Sequence, residues 1–182
     1  MNMIAISNAA LPKAHELNYS ERLVLHALRQ WVQNRALWSK VVLEFNRTCG
    51  PSKATEICES LDRLFRELGT TARRNLRLHK PVCCRVSPDE LCLLNLIAAH
   101  QAGAACHADG LMRWLVPYWE AQRIGDQCRQ IARMLFDAGY TLEHRTGADH
   151  RPTKSTASML VLAKRYAVSP LLAPPSPEAI QP

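Results

Sequence analysis

Hydrophobic positions recur every three or four residues along most of the first 140 residues, which is the spacing of helices that bury one face. The clearest stripe lies within residues 52–68, and charged side chains occupy its opposite face. Ser52 is placed to cap this helix, and Gly69 is expected to end it. The apolar members of the stripe are Ala54, Ile57, Cys58, Leu61, Leu64, Phe65 and Leu68.

Two helices are predicted before this stripe. Asn18 and Glu21 have the spacing of a capping box, and apolar residues follow at helical intervals, so a first helix is expected over residues 20–34. A second apolar series begins at Trp38, and Gly50, which is followed by proline, is expected to end it.

Three further helices are predicted after residue 86. Residues 87–90, Ser-Pro-Asp-Glu, combine a serine cap, proline at the first helical position and acids in the first turn. Residues 91–97 are apolar on nearly all sides, which is typical of a helix surrounded by other helices. A shorter helix is predicted over residues 108–116, and a longer one over residues 118–138.

These elements predict an all-α protein with a single compact bundle-like domain of five or six helices. The helical domain is expected to span residues 18–140, after a flexible N-terminus at residues 1–17. Residues 141–182 lose the helical period and end in a proline-rich stretch, which predicts a mostly disordered tail with a short helix at residues 158–168.

The composition is that of an ordinary globular protein: 182 residues, of which 47% are hydrophobic and 21% charged. Seven cysteines are an odd number in a chain of this size, so we expect reduced thiols and a cytoplasmic location. No secretory signal is evident, and the densely apolar run over residues 91–99 is too short for a bilayer, so no membrane partner is expected. The excess of arginine over lysine favours a bacterial source.

The positive charge is concentrated in one segment. Five of the net +7 charges lie in residues 73–88, which contain no acid and which we call the basic connector. Because arginine binds phosphates and carboxylates, this segment is a candidate site for an acidic protein surface or for nucleic acid. The alternative is a solvated linker whose charges pair with acids such as Asp62 or Asp89. The candidate cations are Arg73, Arg74, Arg77, Lys80 and Arg85.

Thiols and imidazoles suggest a second chemistry for the same segment. Neighbouring cations and the following helix N-terminus favour a thiolate at Cys83 or Cys84, which predicts metal binding or redox sensing as an alternative. Tetrahedral zinc needs four ligands, so a site would have to recruit residues from elsewhere in the fold. The candidate residues are His79, Cys83, Cys84, His100, Cys106 and His107. No cofactor is the primary expectation, and zinc or an iron–sulfur cluster is the alternative.

Aromatic residues concentrate at one predicted corner between helices, at Trp114, Tyr118 and Trp119. In a chain with only 6% aromatic residues, such side chains are expected to complete the core.

Known catalytic motifs do not occur: there is no glycine-rich phosphate loop, no nucleophile elbow and no C-x-x-C pair. We therefore expect a non-enzymatic cytosolic regulatory or adaptor protein that binds an acidic partner through residues 73–88. A nucleic-acid-associated transcriptional regulator is an alternative, although the exposed face of the helix at 52–68 is net negative and unsuited to the major groove. The second alternative is a metal-binding or redox-sensing protein that uses Cys83 and Cys84.

Overall fold

Six α-helices pack against one another in the structure, a computed structural model that describes residues 11–145 and the backbone of residues 160–161. The predicted all-α fold is confirmed. Short 3-10 turns, Ala14–Glu16 and Arg35–Leu37, precede the first and second helices. The helices are α1 (Tyr19–Gln33), α2 (Trp38–Cys49), α3 (Pro51–Thr71), α4 (Pro88–Gln101), α5 (Ala105–Leu115) and α6 (Tyr118–Asp137).

Helix α4 is the central element, as its sequence predicts. Every residue from Asp89 to Ala99 is buried, because α1, α5 and α6 all pack against this helix. The apolar stripe of α3 is also entirely buried, between α2 and α6. None of the helices in the described part of the chain is both long and apolar enough to cross a membrane.

Local capping signals place the starts of α1 and α4. Asn18 Oδ1 accepts a hydrogen bond from the Glu21 amide, and the Glu21 carboxylate accepts one from the Asn18 amide, both at 2.9 Å. Ser87 and Glu90 form the same reciprocal pair at the start of α4. The predicted capping box at Asn18 and the predicted serine cap at Ser87 are confirmed.

The predicted ends of α3 are wrong at both sides. The helix begins at Pro51, with Gly50 as its N-cap at a φ of 82°, so Ser52 lies inside the first turn. At the other end α3 continues through Gly69 to Thr71, since a glycine costs a helix only about 1 kcal/mol. The hydroxyl of Thr71 donates to the Glu67 carbonyl at 2.8 Å and completes the last turn.

The connection between α3 and α4 belongs to the core. Leu76, Leu78 and Val86 are almost fully buried. Strand β1 (Arg77–Leu78) pairs in antiparallel fashion with strand β2 (Leu160–Val161). Apart from these two residues of β2, the predicted helix at 158–168 and the predicted disordered tail beyond residue 145 lie outside the described residues.

The chain returns across the bundle after α6. Gly139, at a φ of 85°, reverses its direction, and residues 140–145, which we call the return segment, run back along α4. The side-chain amide of Gln101 donates to the Tyr140 carbonyl and accepts from the Leu142 amide, each at 2.9 Å. Asn95 holds both backbone groups of Arg145 at 2.8 Å.

Candidate functional site

Asp89 anchors the first half of the basic connector. Its carboxylate, in a residue only 3% exposed, accepts hydrogen bonds from both terminal nitrogens of Arg74 at 2.8 and 2.5 Å and from the Arg77 amide at 2.6 Å. Hydrogen bonding to Asp89 raises the pKa of the Arg74 guanidinium. That guanidinium also lies over the Trp114 ring, 4.1 Å from its centroid, and is therefore occupied within the fold.

Glu90 anchors the second half. It is completely buried and accepts hydrogen bonds from the amides of His79 and Ser87, both at 2.8 Å. Its other partner is Arg29 of α1, which forms a buried ion pair with it. Further donors of Arg29 bind the carbonyl oxygens of Cys83 at 2.8 Å and Arg85 at 2.6 Å.

The N-terminal residues add a third support. The Ala14 amide donates to the Cys84 carbonyl at 2.7 Å, and Lys13 forms an isolated antiparallel bridge with Arg85. Leu17, in the segment predicted to be a flexible N-terminus, is 2% exposed. The backbone of the basic connector is thus fixed from three sides, which is the condition for a preorganised binding surface.

Four of the five predicted cations, Arg73, Arg77, Lys80 and Arg85, are exposed on this fixed backbone. Val82 lies between the last two and is 95% exposed, so the connector presents an apolar side chain among positive charges. Arg74, by contrast, is half-buried in its pair with Asp89. The linker alternative predicts that connector cations pair with acids such as Asp89. The structure shows this pairing with Asp89 for one of the five cations, Arg74.

The expectation that the aromatic corner completes the core is wrong for two of its residues. Tyr118 and Trp119 are 75% and 71% exposed and contact each other edge to face, with ring centroids 5.6 Å apart. They lie six and five positions before Ile124, the first buried residue of α6, so neither falls on the inward stripe of that helix. Trp114 is half-buried beneath Arg74.

An open groove with a volume of about 560 Å³ runs along α5 and α6 from this corner. Arginines and aspartates from the connector and both helices line it, with Tyr118 at one end. Arg129 and Asp126 pair at 2.6 Å within it. Its charged lining residues are Arg73, Arg113, Arg129, Asp109 and Asp126.

The predicted thiol and imidazole ligands are scattered. In the described residues, no three His, Cys, Asp or Glu side chains are grouped so that they could hold one metal ion. Cys84 and Cys106 are exposed, Cys83 is half-buried, and burial lowers the pKa of His79 and of His100. His107 instead contacts His144 of the return segment, with Nδ1 and Nε2 2.7 Å apart.

Sequence reasoning named Asp89 as a partner of the connector cations but missed Glu90 and Arg29, which hold the second half of the connector in place. The dipole of α4 is enough to account for two acids in its first turn, Asp89 and Glu90. In the structure their main partners are instead Arg74, Arg29 and the connector backbone. One signal was available in the sequence, because Arg29 interrupts the apolar face of α1. In the structure this arginine is 2% exposed, and a buried arginine needs a partner. His144 carries no such signal, because its contact with His107 depends on the path of the return segment.

Comparison with known proteins returns no matching family model, no matching curated protein and no matching solved structure. The function therefore has to be argued from the surface that these residues form.

Proposed function

We propose that this protein is a non-enzymatic cytosolic regulatory or adaptor module that binds an acidic segment of a partner protein through the basic connector, residues 73–88. The observation that carries this proposal is the exposure of four cations on a backbone fixed by Asp89, Glu90 and Arg29. Charge of one sign concentrated on one surface selects and steers a partner of the opposite sign.

The fixed backbone matters for affinity. A flexible linker would lose conformational entropy when it binds, whereas a connector already held by buried carboxylates has only its exposed side chains to order. The exposed Val82 adds an apolar contact, which suits a protein surface better than a phosphate backbone.

A labelled oligoglutamate peptide tests the proposal by fluorescence anisotropy. In the variant Arg77→Gln/Lys80→Gln/Arg85→Gln we expect binding at low salt to weaken about tenfold, because exposed ion pairs contribute roughly 0.2–1 kcal/mol each. Added salt should weaken binding of the unmodified protein in the same direction.

The matched control is Lys40→Gln/Arg63→Gln/Arg133→Gln, which removes the same charge from exposed positions on α2, α3 and α6. This control should retain the affinity of the unmodified protein. Equal weakening of both variants, or no binding of the peptide at low salt, would overturn the proposal. Tighter binding of an oligothymidylate than of the peptide in the same buffer would assign the connector to nucleic acid instead.

A further inference from the structure

The basic connector and the aromatic pair, Tyr118 and Trp119, are distant in sequence but adjacent in the fold. The Arg73 amide donates to the Leu115 carbonyl at 3.0 Å, and the Arg73 Nε donates to the Val116 carbonyl at 3.0 Å. The first cation of the connector is therefore bonded to residues three and two positions before Tyr118. The two surfaces are continuous at this corner.

The aromatic pair has the character of an interface anchor. Tryptophan, tyrosine and arginine are the residue types that most often dominate the free energy of protein association. Here two such rings stand exposed, and their edge-to-face contact, with an interplanar angle of 83°, limits the motion of each ring. Little further ordering is needed when an apolar side chain packs against them.

The groove beside the pair has mixed charge. Arg73 and Arg113 offer positive charge, whereas Asp109 and the Arg129-paired Asp126 offer negative charge along the same groove. A phosphate backbone carries one sign of charge throughout and would be repelled at Asp109, whereas Arg129 compensates the charge of Asp126. A polypeptide can alternate acidic, apolar and basic side chains, so this surface favours a protein segment over a nucleic acid.

We infer that the basic connector, the aromatic pair and the α5–α6 groove form one docking surface for an acidic protein segment that also carries aliphatic or aromatic side chains. The acids of the segment pair with Arg73 and the connector cations, and its apolar side chains pack against Tyr118 and Trp119. This inference rests on the proposed function and adds to it the apolar component of the partner.

Two labelled peptides of equal length and equal charge separate the two components. One repeats Glu-Glu-Leu and the other repeats Glu-Glu-Ser, and binding of each is measured by anisotropy. We expect the leucine peptide to bind about tenfold more tightly, as partial burial of its leucines predicts. The variant Tyr118→Ala/Trp119→Ala should abolish that preference and leave the affinity for the serine peptide unchanged.

The matched control is Leu43→Ala/Phe136→Ala, because these side chains are 50% and 57% exposed and lie on α2 and at the end of α6. It should preserve the tenfold preference. All four substituted positions are exposed, so the variants should fold, and circular dichroism with thermal melting checks this.

The outcomes distinguish the inference from the proposed function. If the two peptides bind equally, or if the preference survives in Tyr118→Ala/Trp119→Ala, the inference is wrong while the connector proposal stands. If neither peptide binds at low salt, both are wrong. An oligothymidylate that binds more tightly than both peptides, and that loses affinity in the aromatic variant, would overturn the inference in favour of nucleic acid.

Discussion

Arg29 and Glu90 form a bidentate ion pair inside the protein, with Nε 2.8 Å from Oε1 and Nη2 2.9 Å from Oε2. Their side chains are 2% and 0% exposed. The pair joins α1 to the first turn of α4, and the remaining hydrogen bonds of both residues hold the backbone of the basic connector. The geometry of the proposed binding surface therefore depends on the interior of the helical domain.

Replacing Glu90 with alanine should destabilise the fold severely. The substitution leaves the Arg29 guanidinium buried without its carboxylate, and breaking a buried pair in this way costs about 3–5 kcal/mol. Urea denaturation measures the free energy of unfolding. Asp126→Ala is the control, because its pair with Arg129 is exposed and should contribute less than about 1 kcal/mol. Similar losses in the two variants would show that the buried pair has no special role.

Replacing Asp89 with asparagine should loosen the connector while leaving the helical domain folded. Asparagine keeps the shape of aspartate but has no charge. If its oxygen takes the place of Oδ2, its NH2 group faces Arg74 Nη2, which donates to Oδ1 at 2.5 Å in the unmodified protein, so the bidentate pair with Arg74 is lost. Limited digestion with trypsin reports this, since the protease cleaves after Arg77 and Arg85 only when their backbone can leave its bonded conformation.

We expect cleavage within residues 73–88 to be several-fold faster in Asp89→Asn than in the unmodified protein. Asp126→Asn, at an exposed position of α6, should be cleaved there at the unmodified rate. An unchanged cleavage rate in Asp89→Asn would mean that the connector is held without this carboxylate.

The helices could be predicted from sequence because their signals are local. The period of the α3 stripe and the capping boxes at Asn18 and Ser87 each involve residues a few positions apart. The conformation of the connector could not be predicted in this way. Its main support is a pair 61 residues apart, and sequence periodicity holds no information about which buried arginine meets which acid.

The candidate surface, too, could be predicted from the sequence only in part. Its concentration of positive charge is visible in the sequence, but the separation of Arg74 from the exposed cations depends on Asp89 and Trp114 in three dimensions. The exposure of Tyr118 and Trp119 differs from the expectation, because that expectation rests on residue type alone. Their spacing from Ile124 places them off the buried face of the helix that the sequence itself predicts over residues 118–138, so the signal was available.

Replacing Asn95 with alanine should release the end of the return segment. Asn95 is fully buried and its amide binds both the Arg145 amide and the Arg145 carbonyl, which reproduces a strand pairing with one side chain. The substitution should accelerate amide hydrogen exchange more at Arg145 than at Leu142, because the Leu142 amide is held by Gln101. Gln130→Ala, at an exposed amide side chain on α6, should leave both rates unchanged. Equal acceleration at both amides would indicate that the segment unfolds as a unit.

The seven cysteines should fall into distinct classes of reactivity. Burial raises the pKa of Cys92, and raises those of Cys58 and Cys128 to about 12, so these thiols are protonated as well as inaccessible at neutral pH. Cys84 and Cys106 are exposed. A brief maleimide treatment followed by mass spectrometry should find label at these two positions first.

The control for that labelling is Cys84→Ser/Cys106→Ser, which should remove the fast phase. The three buried cysteines should react only in denaturant. Fast labelling of Cys58, Cys92 or Cys128 in the native protein would contradict the packing described for α3, α4 and α6.

Acidification should destabilise the protein through His79 and His100. Burial lowers the pKa of both imidazoles in the folded state, whereas the unfolded chain takes up a proton near the ordinary value of about 6.5. The unfolded state thus binds more protons at mildly acidic pH. The contribution of these histidines is complete above the unfolded pKa and is lost as the pH falls through the folded pKa.

We expect urea denaturation to show a lower free energy of unfolding at pH 5 than at pH 7.5, a window above the ordinary pKa values of the carboxylates. The decrease should be smaller in His100→Gln, and it should be unchanged in His15→Gln, where the replaced side chain is 67% exposed. The same decrease in both variants would show that His100 takes up its proton equally easily in the folded and unfolded chains.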